Sequence, residues 1–339
     1  MAKLRIGVLY DYWWDEDEGQ VEGERPKKKP PEEDVQQVYE ALKKAGHNPV
    51  YVRVDGTRES LIELARSQTD LLFNLVESFA GDDSQDTNIA GYLELLGRRF
   101  TGAGSSGLYL AQDKALAKKI FTFHGIHTPY FSTVYRGRTE HSHDIEFPVI
   151  VKPAREDGSI GIQFGAVCNS IKELMERIDY IHAEFDSPAL IEEYIEGREL
   201  YVGVLGNHKP EALPVVELDL SKLPEGIPKI AGSEVKWEED TAAYKATKPF
   251  FPDDLPEPTV AKLQETAVQA YQALQLRDYG RVDFRLAGDG TVHVLEVNPN
   301  PYLMPTAEFS MAAKKSGRSY VETIGGIADL AMARYSSQG

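Results

Sequence analysis

The chain has 339 residues, 37 Lys and Arg against 54 Asp and Glu, a net charge of −17, and one cysteine. That length supplies two or three domains or lobes with ample core. The acidic balance argues against a protein that holds nucleic acid through its phosphates or rests on an anionic membrane. A lone thiol, Cys168, cannot form an internal disulfide; it reads as a small buried hydrophobe in a reducing, cytoplasmic compartment. No apolar run of membrane-spanning length and no signal peptide is legible.

The first third alternates strand and helix. Residues 4–9 read as a buried strand, followed at 11–31 by a loop rich in acids, then in lysines and prolines. Pro31 opens a helix with Glu32, Glu33 and Asp34 in its first turn, where the helix dipole favours anions. Val35, Val38 and Leu42 form its apolar stripe and Gly46 ends it. A strand at 50–54, a helix capped by Thr57, a strand at 71–76 and a helix at 89–96 complete a β-α-β-α-β pattern, which implies a small parallel sheet covered by helices. Gly102-Ala103-Gly104-Ser105-Ser106-Gly107 matches G-x-G-x-x-G. It is not at the first crossover and no acid follows at the required distance, so it reads as a flexible connection between lobes.

The middle section changes character. A helix at 114–124 has Leu116, Ile120 and Phe123 inward and Gly125 after it. Strands at 149–153 and 162–167 flank a glycine turn, suggesting an antiparallel hairpin, and a helix follows near 170–182. Lys152 stands at the exit of the first strand. The turn Asp157-Gly158-Ser159-Ile160-Gly161 gives backbone N–H groups close access to phosphate oxygens. Lys114 sits beside Asp113 at the positive end of a helix, a conflict that a bound anion would relieve.

The last section carries strands near 190–194 and 199–205, a Pro-rich stretch at 210–258, and a helix with Val260, Leu263, Ala267, Ala270, Tyr271 and Leu274 on one face. A hairpin at 281–298 follows. Asp289-Gly290 is a two-residue turn signal. It places Gly288 opposite Thr291, Asp283 opposite Glu296 and Arg281 opposite Asn298. One sheet face then carries Arg281, Asp283, Glu296 and Asn298, and the other Val282, Phe284, Leu286, Leu295 and Val297. Opposed carboxylates repel, and with a carboxamide beside them they form an oxygen set suited to Mg²⁺ and substrate phosphates. A one-residue slip would separate the acids.

Taken in order, Lys114 at a helix start, Val151-Lys152-Pro153 with its glycine loop, Glu192-Glu193-Tyr194-Ile195-Glu196-Gly197-Arg198-Glu199, Arg281-x-Asp283 and Glu296-Val297-Asn298-x-x-Pro301 resemble the ATP-grasp superfamily, most closely its D-alanine–D-alanine ligase branch. The resemblance implies a three-lobed fold of α/β and α+β class. A Rossmann-like N-terminal lobe (1–104), a central α+β lobe (105–186) and a C-terminal lobe (187–339) would clamp ATP between the latter two. It implies that Lys114 and Lys152 contact phosphates and that Ser159, Ile160 and Gly161 form a mobile lid. Glu192 and the Ile195 backbone would meet adenine, and Glu199 the ribose. Asp283, Glu296 and Asn298 would bind two Mg²⁺, and Arg281 would stabilise a tetrahedral oxyanion. A carboxylate would attack the γ-phosphate to give an acyl phosphate, and an amine would then displace phosphate. A homodimer is expected on the same ground.

The substrate end departs from the family. The Gly-rich loop and Glu-x-x-Val-Ser motif after the first strand are replaced by Tyr10-Asp11-Tyr12-Trp13-Trp14-Asp15-Glu16-Asp17-Glu18. The His-Gly after the third strand reads Val76-Glu77-Ser78-Phe79, and Gly-Met-Thr after Pro301 reads Tyr302-Leu303-Met304, with Ala307 near the place of a family serine. Trp13, Trp14, Glu16, Glu77, Asn300 and Tyr302 are therefore candidate substrate contacts. These departures point to small-molecule acid and amine substrates other than two D-alanines, in small-peptide or natural-product synthesis. A ligase acting on a peptide or protein terminus and a non-catalytic ATP-binding module are the alternatives. The basic run 25–31 and His141-x-His143-Asp144 read as solvated loops.

Overall fold

The computed structural model describes residues 3–12, 31–139, 146–156, 158–185, 187–236, 238 and 240–336. The N-terminal part runs β1 (Arg5–Asp11), α1 (Glu33–Lys44), β2 (Asn48–Val54), α2 (Arg58–Arg66), β3 (Leu71–Asn74), α3 (Asp86–Leu95), α4 (Ser105–Gln112) and α5 (Lys114–Phe123). Strand β1 lies between β2 and β3, parallel to both. Its side chains alternate between two apolar clusters: Ile6 and Val8 pack with Val38 and Leu42 of α1, Leu9 with Leu64 and Ile89. Both sheet faces are thus covered, as crossover helices require. Thr57 caps α2 by accepting from the Ser60 N–H, and Gly46 ends α1 at φ +96°.

The central lobe is a five-stranded antiparallel sheet in the order β5-β4-β8-β6-β7. Its strands are β4 (Phe131–Tyr135), β5 (Arg138–Thr139), β6 (Val149–Pro153), β7 (Val167–Cys168) and β8 (Ala189–Glu193), with α6 (Ile171–Glu184) packed on it. Two expectations are corrected. Strand β8 pairs with β4 and β6, so residues 187–193 belong to this lobe rather than to the C-terminal one. The second hairpin strand shrinks to Val167–Cys168, because the backbone just before it is engaged elsewhere. Ile162 O accepts from Ser233 N, and Phe164 N donates to Glu234.

The C-terminal lobe contains β9 (Gly197–Leu205), β10 (Glu211–Ala212), β11 (Val216–Leu218), α7 (Ser233–Lys236), α8 (Ala242–Ala246), β12 (Pro249–Phe250), α9 (Glu257–Ala273), β13 (Tyr279–Ala287), β14 (Val292–Asn298), α10 (Glu308–Lys315) and α11 (Tyr320–Ser336). Its sheet order is β12-β11-β9-β13-β14, with β10 on β9. Helix α9 covers one face through Leu263, Ala267, Ala270 and Tyr271. Helix α11 returns to the first lobe, packing Ile324, Ile327, Ala328 and Ala331 into the cluster that holds Val38 and Leu42.

The G-x-G-x-x-G segment is not a flexible connection. Thr101 to Gly104 are buried. The Gly102 N–H donates to Asp278 Oδ2 (2.9 Å) and the Ala103 N–H to Asn300 Oδ1 (3.0 Å). Gly102 has φ +84°, and a Cβ there would lie 2.3 Å from Asn300 Oδ1, so glycine is required by conformation and by close approach. Asp278, fully buried, also receives Asn207 Nδ2 and the Arg334 guanidinium. Replacing Asp278 by Ala removes the carboxylate that a largely buried arginine and a buried backbone donor share. We expect a loss of about 3 kcal/mol, read as a lower thermal midpoint by circular dichroism; an unchanged midpoint would show that this tie carries no weight.

Candidate active site

The site is organised by the β13–β14 hairpin. Its turn has three residues, Gly288-Asp289-Gly290, closed by Ala287 N donating to Thr291 O (2.9 Å), with Gly290 at φ +87°. Leu286 therefore faces Val292, one residue off the two-residue turn expected from Asp-Gly. A bulge at Leu295 restores the register, and Asp283 faces Glu296 while Arg281 faces Asn298. Val292, Val294 and Val297 line the buried face with Val282, Phe284 and Leu286; Leu295, expected there, is displaced by the bulge.

The two acids are clamped by cations. Arg281 holds Asp283 with two bonds (Nε to Oδ1 2.7 Å, Nη2 to Oδ2 2.9 Å) and reaches Glu308, the first residue of α10, at 3.2 Å. Its guanidinium also lies 5.0 Å from the centroid of the Tyr201 ring. Lys114 Nζ contacts Glu296 Oε2 at 3.2 Å and donates to Glu156 O at 2.6 Å. Burial pushes the Glu296 carboxyl up, but Lys114, Lys236 and Lys152 together outweigh it and hold the group well below the usual range. Burial pushes Asp283 up, Arg281 opposes, and the charge on Glu296 adds to the rise.

A second buried set lies on the central lobe. Glu192 is 1% exposed, with Lys152 Nζ at 2.7 Å from one oxygen and Lys118 Nζ at 3.0 Å from the other. Burial raises the Glu192 carboxyl and the two lysines more than reverse it. Lys118, fully buried, is pushed down to about 8, by burial first and with Glu192 opposing. Glu199 pairs with Arg285 (2.9 Å) and accepts from the Tyr201 hydroxyl (2.9 Å); Ile195 is buried. Ser159, at φ +65°, is buried and donates to Ala231 O (2.9 Å), so the glycine turn is docked on the C-terminal lobe; Gly161 has φ +69° and Ile160 remains exposed.

Helix α5 is turned differently from its apolar reading. Lys114, Lys118 and Phe121, at i, i+4 and i+7, face inward, and Phe123 is 85% exposed. The ion pairs to Glu296 and Glu192 set this rotation. Sequence reasoning missed Lys118, although its i+4 spacing from Lys114 was a usable signal. It also missed Lys236, which acts on both Asp283 and Glu296 from α7, in a stretch without periodicity.

The substrate candidates fare unevenly. Asn300 spends its carboxamide oxygen on the Ala103 N–H. Glu77 is exposed, its N–H bonded to Asp11 Oδ1. Tyr302 is half-exposed, its hydroxyl pushed up to about 12 by partial burial and by Asp34, Glu77, Glu32 and Glu33, so all of these flank one region. Trp13, Trp14 and Glu16 lie outside the described residues, as do His141, His143 and Asp144.

This combination of a carboxylate-bearing hairpin, lysines from three elements and a glycine turn docked across two α+β lobes defines an ATP-grasp ligase. The profile of the family described as "D-ala D-ala ligase C-terminus" matches residues 120–328. The chain is 34% identical over 309 residues to an uncharacterized protein, y4sG, of Sinorhizobium fredii (89% of this chain, 88% of that one). It is 34% identical over 289 residues to the D-alanine–D-alanine ligase of Bordetella petrii (84% and 82%). The D-alanine–D-alanine ligase of Bacillus anthracis, solved in complex with ATP, superposes with a TM-score of 0.71 at 20% identity over 99% of this chain and 100% of that one, a likeness of fold. The chain belongs to the D-alanine–D-alanine ligase family and is an ATP-dependent, ADP-forming carbon–nitrogen ligase.

Replacing Glu192 by Gln leaves two buried lysines facing each other without an anion, a loss of about 3 kcal/mol at pH 7. Because the folded carboxyl titrates below its ordinary value, its contribution is complete above about pH 4.5 and is lost as pH falls through the folded value. The gap in thermal midpoint between wild type and Glu192→Gln should therefore narrow on acidification below pH 4.5. A gap independent of pH would exclude this charge pairing.

Proposed function

We propose that the enzyme joins a carboxylic acid to an amine through an acyl phosphate, with a substrate pair other than two D-alanines. The observation that carries the reading is the convergence of Lys114, Lys152 and Lys236 on the opposed pair Asp283 and Glu296, with Arg281 alongside.

Lys114 and Lys152 are assigned to the phosphates of ATP, Glu192 and the Ile195 backbone to adenine, Glu199 to the ribose, and Ser159 to Gly161 to the lid. Asp283, Glu296 and Asn298 are assigned to two Mg²⁺. The donor set fits a hard cation: three oxygen-bearing side chains share one sheet face, and the buried Asn298 Nδ2 has no hydrogen-bond partner, leaving its carboxamide uncommitted. When bound, magnesium supplies charge neutralisation at the phosphate oxygens.

The protein's own contribution is positioning and electrostatics. Lysine ammonium groups offset the charge of the γ-phosphate while a substrate carboxylate oxygen attacks phosphorus and ADP departs. The amine then attacks the acyl carbon, and Arg281 stabilises the negative oxygen of the tetrahedral species. Phosphate leaves, the amine nitrogen loses a proton, and the amide remains. No nucleophile on the chain is required, and buried Cys168 is left out of the chemistry.

Support for a different substrate pair comes from the acids around Tyr302 and from Glu308, whose carboxylate faces Arg281 beside Ala307. Acidic and aromatic side chains there favour an amine-bearing substrate over one that presents a bare carboxylate. Small-peptide or natural-product synthesis is the setting we infer.

The test is release of ADP and phosphate from Mg²⁺ and ATP across a matrix of amino acids, other carboxylic acids and amines. Turnover with D-alanine alone matching the best pair would overturn the substrate reading. Tight ATP binding with no release across the matrix would favour a binding module. We also expect Glu296→Gln to lower turnover by about 100-fold or more while the protein stays folded; full activity would remove the metal assignment.

A further inference from the structure

Lys118 has no role in the chemistry above, yet it is the most deeply buried cation of the cleft. Its ammonium contacts Glu192 Oε1 at 3.0 Å and donates to Thr128 Oγ1 at 2.7 Å. Thr128 Oγ1 in turn donates to Val294 O at 2.9 Å, so its single proton points at the carbonyl and its lone pair at the lysine. The Val294 N–H returns to His127 O at 2.8 Å. Lys118 thus links α5, β8 and the strand that carries Glu296.

The arithmetic of the cluster gives the lysine its meaning. Glu192 is a single anion shared by two cations. Lys152, at 2.7 Å, is the nearer partner. If Glu192 had Lys152 alone, that ammonium would be fully committed to a buried carboxylate and could turn to a phosphate only by stranding it. With Lys118 in place, the carboxylate stays paired when Lys152 contacts another anion.

We propose that Lys118 is a positioning residue of the nucleotide site: its charge holds Glu192 and so frees Lys152 for the phosphates of the nucleotide. This rests on the assignment of Lys152 to ATP phosphates made above.

A proton signature follows. The groups that act on Lys118 are Glu192 on β8, Lys152 on β6 and Glu296 on β14, while His293 on β14 feels its charge. Lys114 lies one turn earlier on α5. His293 is held below its ordinary value by burial, so it is neutral in alkaline buffer. With Lys118 titrating at about 8, roughly three-quarters of the molecules carry it neutral at pH 8.5. An anionic phosphate chain bound nearby favours its charged form, so nucleotide binding draws in a proton.

The experiment is calorimetric titration of the full chain with ADP and excess Mg²⁺, at pH 7.0 and 8.5, in two buffers of different ionisation enthalpy. Adenosine serves as the phosphate-free control. The wild type should take up about half a proton or more with ADP at pH 8.5 and little at pH 7.0. Lys118→Met should bind ADP about tenfold more weakly at pH 7.0, bind adenosine within about twofold of wild type, and show no uptake. Lys118→Gln, which keeps a donor for Thr128 but no charge, should behave like Lys118→Met. A folded Lys118→Met that binds ADP as tightly as the wild type at pH 7.0 overturns the proposal. So does uptake that persists in a folded variant, or an equal loss for ADP and adenosine. A wild type that binds no ADP overturns the nucleotide reading itself, and with it the proposal.

Discussion

The cleft depends on one constraint: carboxylates removed from water must be met by cations from separate parts of the chain. Glu192 on β8 is met by Lys118 of α5 and Lys152 of β6, and Glu296 on β14 by Lys114 of the same α5. Such pairs are weak evidence of stability, because the cost of drying the charges rivals their attraction. Their value is in register. Helix α5 satisfies both carboxylates only in one rotation, and that rotation turns Phe123 to solvent while Phe121 goes inside. Electrostatics has overruled the apolar stripe, and it has done so at the junction of the central sheet with the β13–β14 hairpin. A chain with a large acidic excess thereby gathers three lysines around two carboxylates.

The fold was legible where period and punctuation agree. β1, α1, β2 and α2 follow from buried runs, a Thr cap and a glycine end, and α1 buries the stripe read from its sequence. The opposition of Asp283 to Glu296 was also read correctly, through two departures that cancel. The turn holds one residue more than Asp-Gly suggests, and the Leu295 bulge adds one on the returning strand. A bulge is a compromise between side-chain facing and ladder bonding, and neither leaves a mark in the alternation of types. Leu295 was misplaced for that reason, while the pairing of Asp283 with Glu296 was not. The glycine segment at 102–107 failed for a related reason. Glycine signals freedom in sequence, but here it signals close approach, with Asn300 against Gly102.

Lys118 and Lys236 show what a local reading cannot weigh. A lysine among alanines on a helix is ordinarily a solvent-facing residue, and only its partner, 74 positions on at Glu192, makes burial tolerable. Lys236 is still less visible, since α7 is four residues long within a Pro-rich stretch. Both act across elements, and the energetic reason for their placement lies in tertiary pairing rather than propensity.

The residues proposed for the nucleotide and those proposed for the substrate sit on different kinds of element. The residues proposed for phosphates and metal, Asp283, Glu296, Lys152 and Lys114, are fixed by sheet register and helix phase. Such positions survive as short motifs because a one-residue slip abolishes them. The residues proposed to face the substrate lie at strand exits and helix starts: Asp11 at the end of β1, Glu77 after β3, Asp34 in the first turn of α1, Tyr302 after β14, Glu308 at the start of α10. Loops and termini accept new residues without disturbing the core. The Arg281 guanidinium sits at the boundary between the two, bound on one side to Asp283 and on the other to Glu308. A side chain fixed by Asp283 of the hairpin is thus also held by the first residue of α10. On the proposed assignments, a change at Glu308 would therefore act directly on the arginine proposed to stabilise the tetrahedral species.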